Sequence, residues 1–98
     1  MILKYMTCLM LMAVSRCVFA STPPPIAQTC VACHGPAGIS NNPLWPNLAG
    51  QKRDYLVKQI SDFKADRRKD PLMSPMAKTL SDQDVTVLAD YFSGLTGK

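Results

Sequence analysis

Two cysteines stand three residues apart, and a histidine follows the second directly: Cys30-Val31-Ala32-Cys33-His34. No other histidine occurs in the chain. On a helix, residues three and four apart share one face, with Cβ atoms about 5–6 Å from each other. Both thiols then reach the same edge of a flat ligand, and the imidazole sits beside them. Val31 and Ala32 are small and leave the rest of the turn clear.

This C-x-x-C-H spacing is that of a c-type haem attachment. Cys30 and Cys33 would add across two vinyl groups as thioethers, and His34 would offer Nε2 to the iron as the proximal ligand. Three other uses of the same residues fare worse. A zinc site needs four ligands, and beyond residue 20 only two Cys and one His remain. A thioredoxin-like thiol–disulfide pair expects a strand before the motif and a βαβ pattern around it. A Cys30–Cys33 disulfide would close so short a loop that it would restrain the unfolded chain little.

The first twenty residues are of a different kind. Lys4 precedes an apolar run from Tyr5 to Val14, and Val18-Phe19-Ala20 ends it with small residues where cleavage needs them. That is the layout of a secretory signal peptide, with cleavage expected after Ala20. The run is too short to cross about 30 Å of hydrocarbon, and Arg16 interrupts it. A lipid anchor on Cys17 is disfavoured by Arg16 immediately before it. Residues 1–20 thus read as a leader and 21–98 as one domain, exported to an oxidising compartment, the periplasm in a bacterium. No stable membrane insertion is expected after cleavage, and the domain reads as a monomer or weak dimer.

Removing the leader changes the composition. It takes four of the six Met and two of the four Cys, and the formal charge falls from +4 to +2 with Lys4 and Arg16 gone. So weak a balance excludes a strongly cationic nucleic-acid binder. About 78 residues remain, too few for a generous core, and domains of this size need a staple. A covalently held porphyrin would supply buried apolar area.

Along the mature chain, Pro23-Pro24-Pro25 suits the first turn of a helix over about 25–33, ended by Gly35-Pro36. Residues 35–50 read as loop. Tyr55, Leu56, Gln59, Ile60 and Phe63 share a stripe, which predicts a helix over 52–64. Residues 64–70 are a solvated charge run, and Pro71 and Pro75 are expected to hold 72–76 in extended or turn conformation. Ser81, with Asp82 and Asp84 behind it, starts a last helix through Val85, Leu88, Ala89 and Phe92. No strand is predicted, and the fold class is all-α, three to four short helices with long loops.

With no second histidine, the iron's other axial ligand has to come from elsewhere. Beyond the leader only two thioethers exist, Met73 and Met76, and spacing alone leaves either possible. The other reading of each is core filler.

Together these segments resemble a class I monohaem cytochrome c, most closely the small bacterial c553 and c4 types. The resemblance rests on Cys30-Val31-Ala32-Cys33-His34-Gly35, Pro46-Asn47-Leu48-Ala49-Gly50-Gln51, Tyr55-Leu56-Val57-Lys58-Gln59-Ile60, and Met73-Ser74-Pro75-Met76 running into Leu80-Ser81-Asp82-Gln83-Asp84 and Leu88-Ala89-Asp90-Tyr91-Phe92. It implies one covalent haem c wrapped by short helices. It implies Met73, seven residues before Leu80, as the axial thioether, with Met76 the runner-up. It implies that the Pro46 carbonyl accepts a hydrogen bond from His34, that Trp45, Leu48, Leu56, Ile60 and Phe63 wall the ring, and that Ile26 crosses Leu88, Tyr91 and Phe92.

The function implied is one-electron transfer between redox protein partners. No acid–base pair, nucleophile elbow or phosphate loop is present, so no catalysis of its own is expected. The same domain could serve as the electron-transfer subunit of a dehydrogenase or oxidase, or, with the Met detached, as a gas sensor. Lys52, Arg53, Lys58, Arg67, Arg68, Lys69 and Lys78 are interleaved with Asp54, Asp62, Asp66 and Asp70, and read as a solvated face rather than a docking patch.

Overall fold

The structure is a computed structural model that describes residues 22–97. The expected leader and its cleavage point after Ala20 lie outside the described residues. Four helices follow in chain order: α1 (Ala27–His34), α2 (Arg53–Lys64), α3 (Met73–Lys78) and α4 (Asp82–Ser93). No strand occurs among the described residues.

Helix α4 begins where its sequence says it should. The Ser81 side chain accepts from the Asp84 N–H at 3.0 Å, and the Asp84 carboxylate takes the Ser81 N–H, also at 3.0 Å. This reciprocal box satisfies two otherwise orphaned donors. Val85, Leu88, Ala89 and Phe92 then fall on one buried stripe. Helix α2 turns Leu56 and Phe63 inward and packs against both α3 and α4.

Helix α1 joins this core through Ala27, which is fully buried in the cluster that contains Leu88, Ala89 and Phe92. Ile26 packs against the same cluster but is only partly buried. The expected crossing therefore relies on a small residue that the hydrophobic pattern does not single out. A methyl group at position 27 lets α1 approach closely.

One expectation is overturned. Residues 73–78 form a helix instead of an extended or turn segment. The cause is Asp70, whose carboxylate accepts from the N–H groups of Leu72 and Met73 at 2.9 and 2.8 Å. It caps the turn from outside, and Pro71 then occupies a position where a missing N–H costs nothing. Ser74 closes the turn by donating its N–H to the Asp70 carbonyl. Pro75 forfeits one backbone bond of the short helix, a loss the capped turn tolerates.

The loop between α1 and α2 is tied down by its own backbone. The Gly38 carbonyl accepts from both Leu48 and Ala49, and the Gly50 N–H reaches the Phe92 carbonyl on α4. Gly35 ends α1 at φ 93°, and a side chain there would collide with the Ile39 carbonyl. Gly38, at φ 71°, faces Ala49 and the Phe92 ring so closely that a Cβ would press on both. Glycine is required at these two positions by strain and by space together.

Replacing Ser81 by Ala removes the cap of α4 and is expected to cost about 1 kcal/mol. Thermal unfolding should register this as a fall in Tm of roughly 4–8 °C. Ser93→Ala, at the far end of the same helix, should leave Tm nearly unchanged.

Candidate functional site

Helix α1 carries Cys30, Cys33 and His34 to one wall of a cavity of about 260 Å³. The loop supplies Trp45, Pro46 and Leu48, α2 supplies Leu56, Ile60 and Phe63, and α3 supplies Met73 and Met76. Every sequence-expected site residue is thus on the same cavity, drawn from four separate stretches of chain. The remaining walls are largely apolar.

His34 is 7 % exposed, and its Nδ1 lies 2.8 Å from the Pro46 carbonyl oxygen. A carbonyl only accepts, so Nδ1 carries the proton and Nε2 keeps its lone pair. Proline suits this role because it offers a carbonyl without a competing N–H. No buried side-chain nitrogen or oxygen lacks a partner among the described residues. Nε2 makes no hydrogen bond there, so it opens onto the cavity that His34 lines.

Cys30 is half-buried and Cys33 exposed, and neither is in a disulfide. Burial pushes the Cys30 thiol above its usual range, and the neighbouring Cys33 adds to the effect. A redox-active dithiol needs the opposite, a thiolate stabilised at neutral pH. Nor does any group of three or more His, Cys, Asp or Glu converge into an ion site among the described residues. Zinc therefore lacks a ligand set. A thiol pair, an imidazole with a free Nε2, nearby thioethers and apolar walls match the donor chemistry of a covalently held haem.

The two methionines share the cavity but not their exposure. Met73 is partly buried at the start of α3, whereas Met76 is 38 % exposed one turn later. The Met73 N–H is also fixed by Asp70.

Two wall residues escape the sequence pattern. Asp70 and Arg68 belong to a charge run that reads as solvated, yet both line the cavity. For Asp70 a signal existed: an Asp directly before Pro, with free N–H groups two and three residues on, is a helix-start signature. For Arg68 none did. Of the other cations in the run, Arg67 is matched to Asp62 and Lys64 to Asp82, while Lys69 has no partner among the ion pairs of the described residues; outside it, Lys58 also pairs with Asp62 and Lys78 with Asp66. Arg53 pairs with Asp54 and Asp90. Pairs this exposed add little stability.

Residues 26–92 match the family described as cytochrome c oxidase, cbb3-type, subunit III. Cytochrome c4 of Thiocapsa roseopersicina is 55 % identical over 64 residues, which cover 65 % of this chain and 33 % of that protein. Cytochrome c-554(548) of Halomonas halodenitrificans is 46 % identical over 68 residues, 66 % of this chain and 82 % of that one. The crystal structure of reduced recombinant cytochrome c4 from Pseudomonas stutzeri superposes with a TM-score of 0.64 at 37 % identity, covering 67 % of this chain and 37 % of that one. The chain thus spans about a third of the length of its cytochrome c4 relatives and most of the length of the shorter one. It belongs to this cytochrome c family. Its fold is the all-α class I cytochrome c fold, and its cofactor is haem c, bound covalently.

Hydrogen bonds hold three carboxylates near the α2–α3 connection below their ordinary range. Lys58 and Arg67 act on Asp62, Lys78 acts on Asp66, and the Met73 and Leu72 N–H groups act on Asp70. A depressed folded pKa means stability that is present above the unfolded value, about 3.9, and lost as pH falls through the folded one. Hydrogen exchange followed by mass spectrometry should therefore show residues 65–80 opening before α4 as the holoprotein is acidified below about pH 4.

Proposed function

We propose that the chain is an exported one-electron carrier. In this reading Cys30 and Cys33 would hold the haem as thioethers, and His34 and Met73 would ligate its iron. Met76 serves as cavity wall. The observation that carries it is the convergence of these residues on one largely apolar cavity, with His34 Nδ1 engaged by Pro46.

Bound there, the haem supplies an iron that loses and regains one electron. The chain's part is to keep that event geometrically quiet. Pro46 fixes the tautomer and ring angle of His34, leaving Nε2 as the donor atom. Asp70 and Ser74 fix the first turn of α3, so the Met73 side chain is presented from a defined backbone. The largely apolar walls would limit water around the haem, which disfavours the ferric state, and a His/Met pair would raise the potential in the same direction. With His34 and Met73 both engaged, the chain would offer no open position for a substrate, and the domain is read as a carrier without catalysis of its own.

The leader supports export, to the periplasm in a bacterium, with residues 21–98 as the mature domain. No helix among the described residues is long and apolar enough to cross a membrane. Partners are then redox proteins, a donor and an acceptor. A second reading makes the domain an electron-transfer unit of a larger redox assembly. It is favoured by the match to about a third of each cytochrome c4 relative. Size-exclusion chromatography of native envelope extracts separates the two, because a free carrier elutes at its own mass.

Visible spectra test the ligand assignment. Met73→Ala should abolish the methionine-to-iron band of the oxidised protein and admit carbon monoxide to the reduced form. Met76→Ala should leave both unchanged. The reverse result moves the ligand to Met76, and a wild-type protein that loses its colour on denaturing gels refutes covalent attachment altogether.

A further inference from the structure

Arg68 is the one lysine or arginine among the described residues that line the cavity. Its guanidinium lies over the Phe63 ring, Cζ 4.5 Å from the centroid, and Nη1 donates to the Gln59 amide oxygen at 2.6 Å. Neither partner carries charge. Among the described residues the exposed Arg68 enters no ion pair, and neither does its neighbour Lys69, which does not line the cavity, whereas Lys58, Lys64, Arg67 and Lys78 around them do. Asp70, the one carboxylate lining the cavity, has its Oδ2 committed to the Leu72 and Met73 N–H groups and feels the Arg68 charge without forming an ion pair with it.

The backbone builds this placement. After α2 the chain reverses with Asp66 in the left-handed region, φ 57°. The N–H groups of Arg67 and Arg68 both return to the Asp62 carbonyl, at 2.9 and 3.1 Å. The Asp62 carboxylate takes Nε of Arg67 at 2.8 Å. Arg67 is thereby matched at the surface, and Arg68 folds back across Phe63. Two fixed contacts hold the guanidinium, and its other N–H donors stay free. A planar fork of donors beside an apolar wall suits a carboxylate, which it can engage through two parallel bonds.

Haem carries two carboxylates, its propionates, and within the cavity wall they meet no other cation of the described chain. We propose that Arg68, held by Gln59 and Phe63, binds a haem propionate and keeps a fixed positive charge on the cavity wall. This rests on the haem reading given above. Two consequences follow from charge alone. A fixed cation disfavours the ferric state and so raises the potential. It also keeps the propionate ionised down to low pH, so the potential stays flat across the mildly acidic range. Without the cation the propionate takes up a proton more readily. Its ionisation then falls within the accessible pH range, and the potential drops as pH rises through it.

Redox titration of the purified holoprotein between mildly acidic and neutral pH tests this, with Arg68→Gln, Arg68→Lys and Gln59→Glu beside the wild type. Arg68→Gln should lower the midpoint potential and introduce a pH-dependent step, and its propionate bending bands in resonance Raman spectra should shift. Gln59→Glu keeps the shape of the side chain but draws the guanidinium into an internal ion pair, and should shift the potential the same way. Arg68→Lys, which keeps the charge, should stay nearer the wild type. If Arg68→Gln accumulates without haem, Gln59→Glu decides by the same measurements. Potentials, pH profiles and Raman bands that coincide with those of the wild type would overturn the assignment of Arg68 while leaving the haem site standing. A wild-type protein without haem would overturn both.

Discussion

The interior of this domain is built around a space that its own side chains do not fill. Ten hydrophobic residues are buried among the described ones, and four of them are alanines: Ala27, Ala49, Ala77 and Ala89. Leu56, Leu88 and Phe92 serve twice, packing on that small core and facing the cavity. Apolar walls left without partner atoms lose dispersion contacts outright, so the walls would collapse if nothing occupied the space. A planar apolar group fastened to α1 restores those contacts and does for this chain what extra core does for a larger one. The covalent bonds to such a group are therefore structural as well as functional.

The loop of residues 35–50 shows how the backbone serves that arrangement. It has no regular structure, yet it cannot wander. Gly38 receives two N–H groups from the end of the loop, Ser40 donates its N–H to Asn47 Oδ1, and Gly50 anchors the exit to α4. Pro46 is held between these ties, and its carbonyl meets His34 at 2.8 Å. A loop that aims a carbonyl at an imidazole ring has to be fixed at both ends.

Most of this was legible in the chain before any coordinates. Ser81 and Asp84 announce α4, the stripe of Leu56, Ile60 and Phe63 announces α2, and the cysteine spacing brings the haem with it. What was not legible has one physical origin: a polar side chain whose partner is backbone or ring rather than an opposite charge. Asp70 looks solvated in a run of charges, but its Oδ2 accepts from two N–H groups, and that cap converts a proline-flanked segment into a helix. Arg68 is an exposed cation like its neighbours, and what the pattern does not show is that the turn at Asp66 lays it over Phe63. Patterns of hydrophobicity and charge do not encode such contacts.

The two sides of the cavity are held with unequal strength. On the histidine side, His34 lies at the end of a two-turn helix, buried, with Nδ1 bonded and both neighbouring thiols positioned for covalent attachment. On the methionine side, α3 has six residues, Pro75 removes one of its bonds, and the Met76 N–H reaches Leu72 at a long 3.4 Å. Its hold on position rests on the Asp70 cap, on packing against α2, and on surface pairs such as Lys78 with Asp66, which salt weakens. Short helices are marginal unless tertiary packing holds them. Local opening therefore begins at α3, and it removes the Met73 side before the His34 side. With His34 and Met73 holding the haem as proposed, the Met73 side would be the first to let go when the domain is stressed.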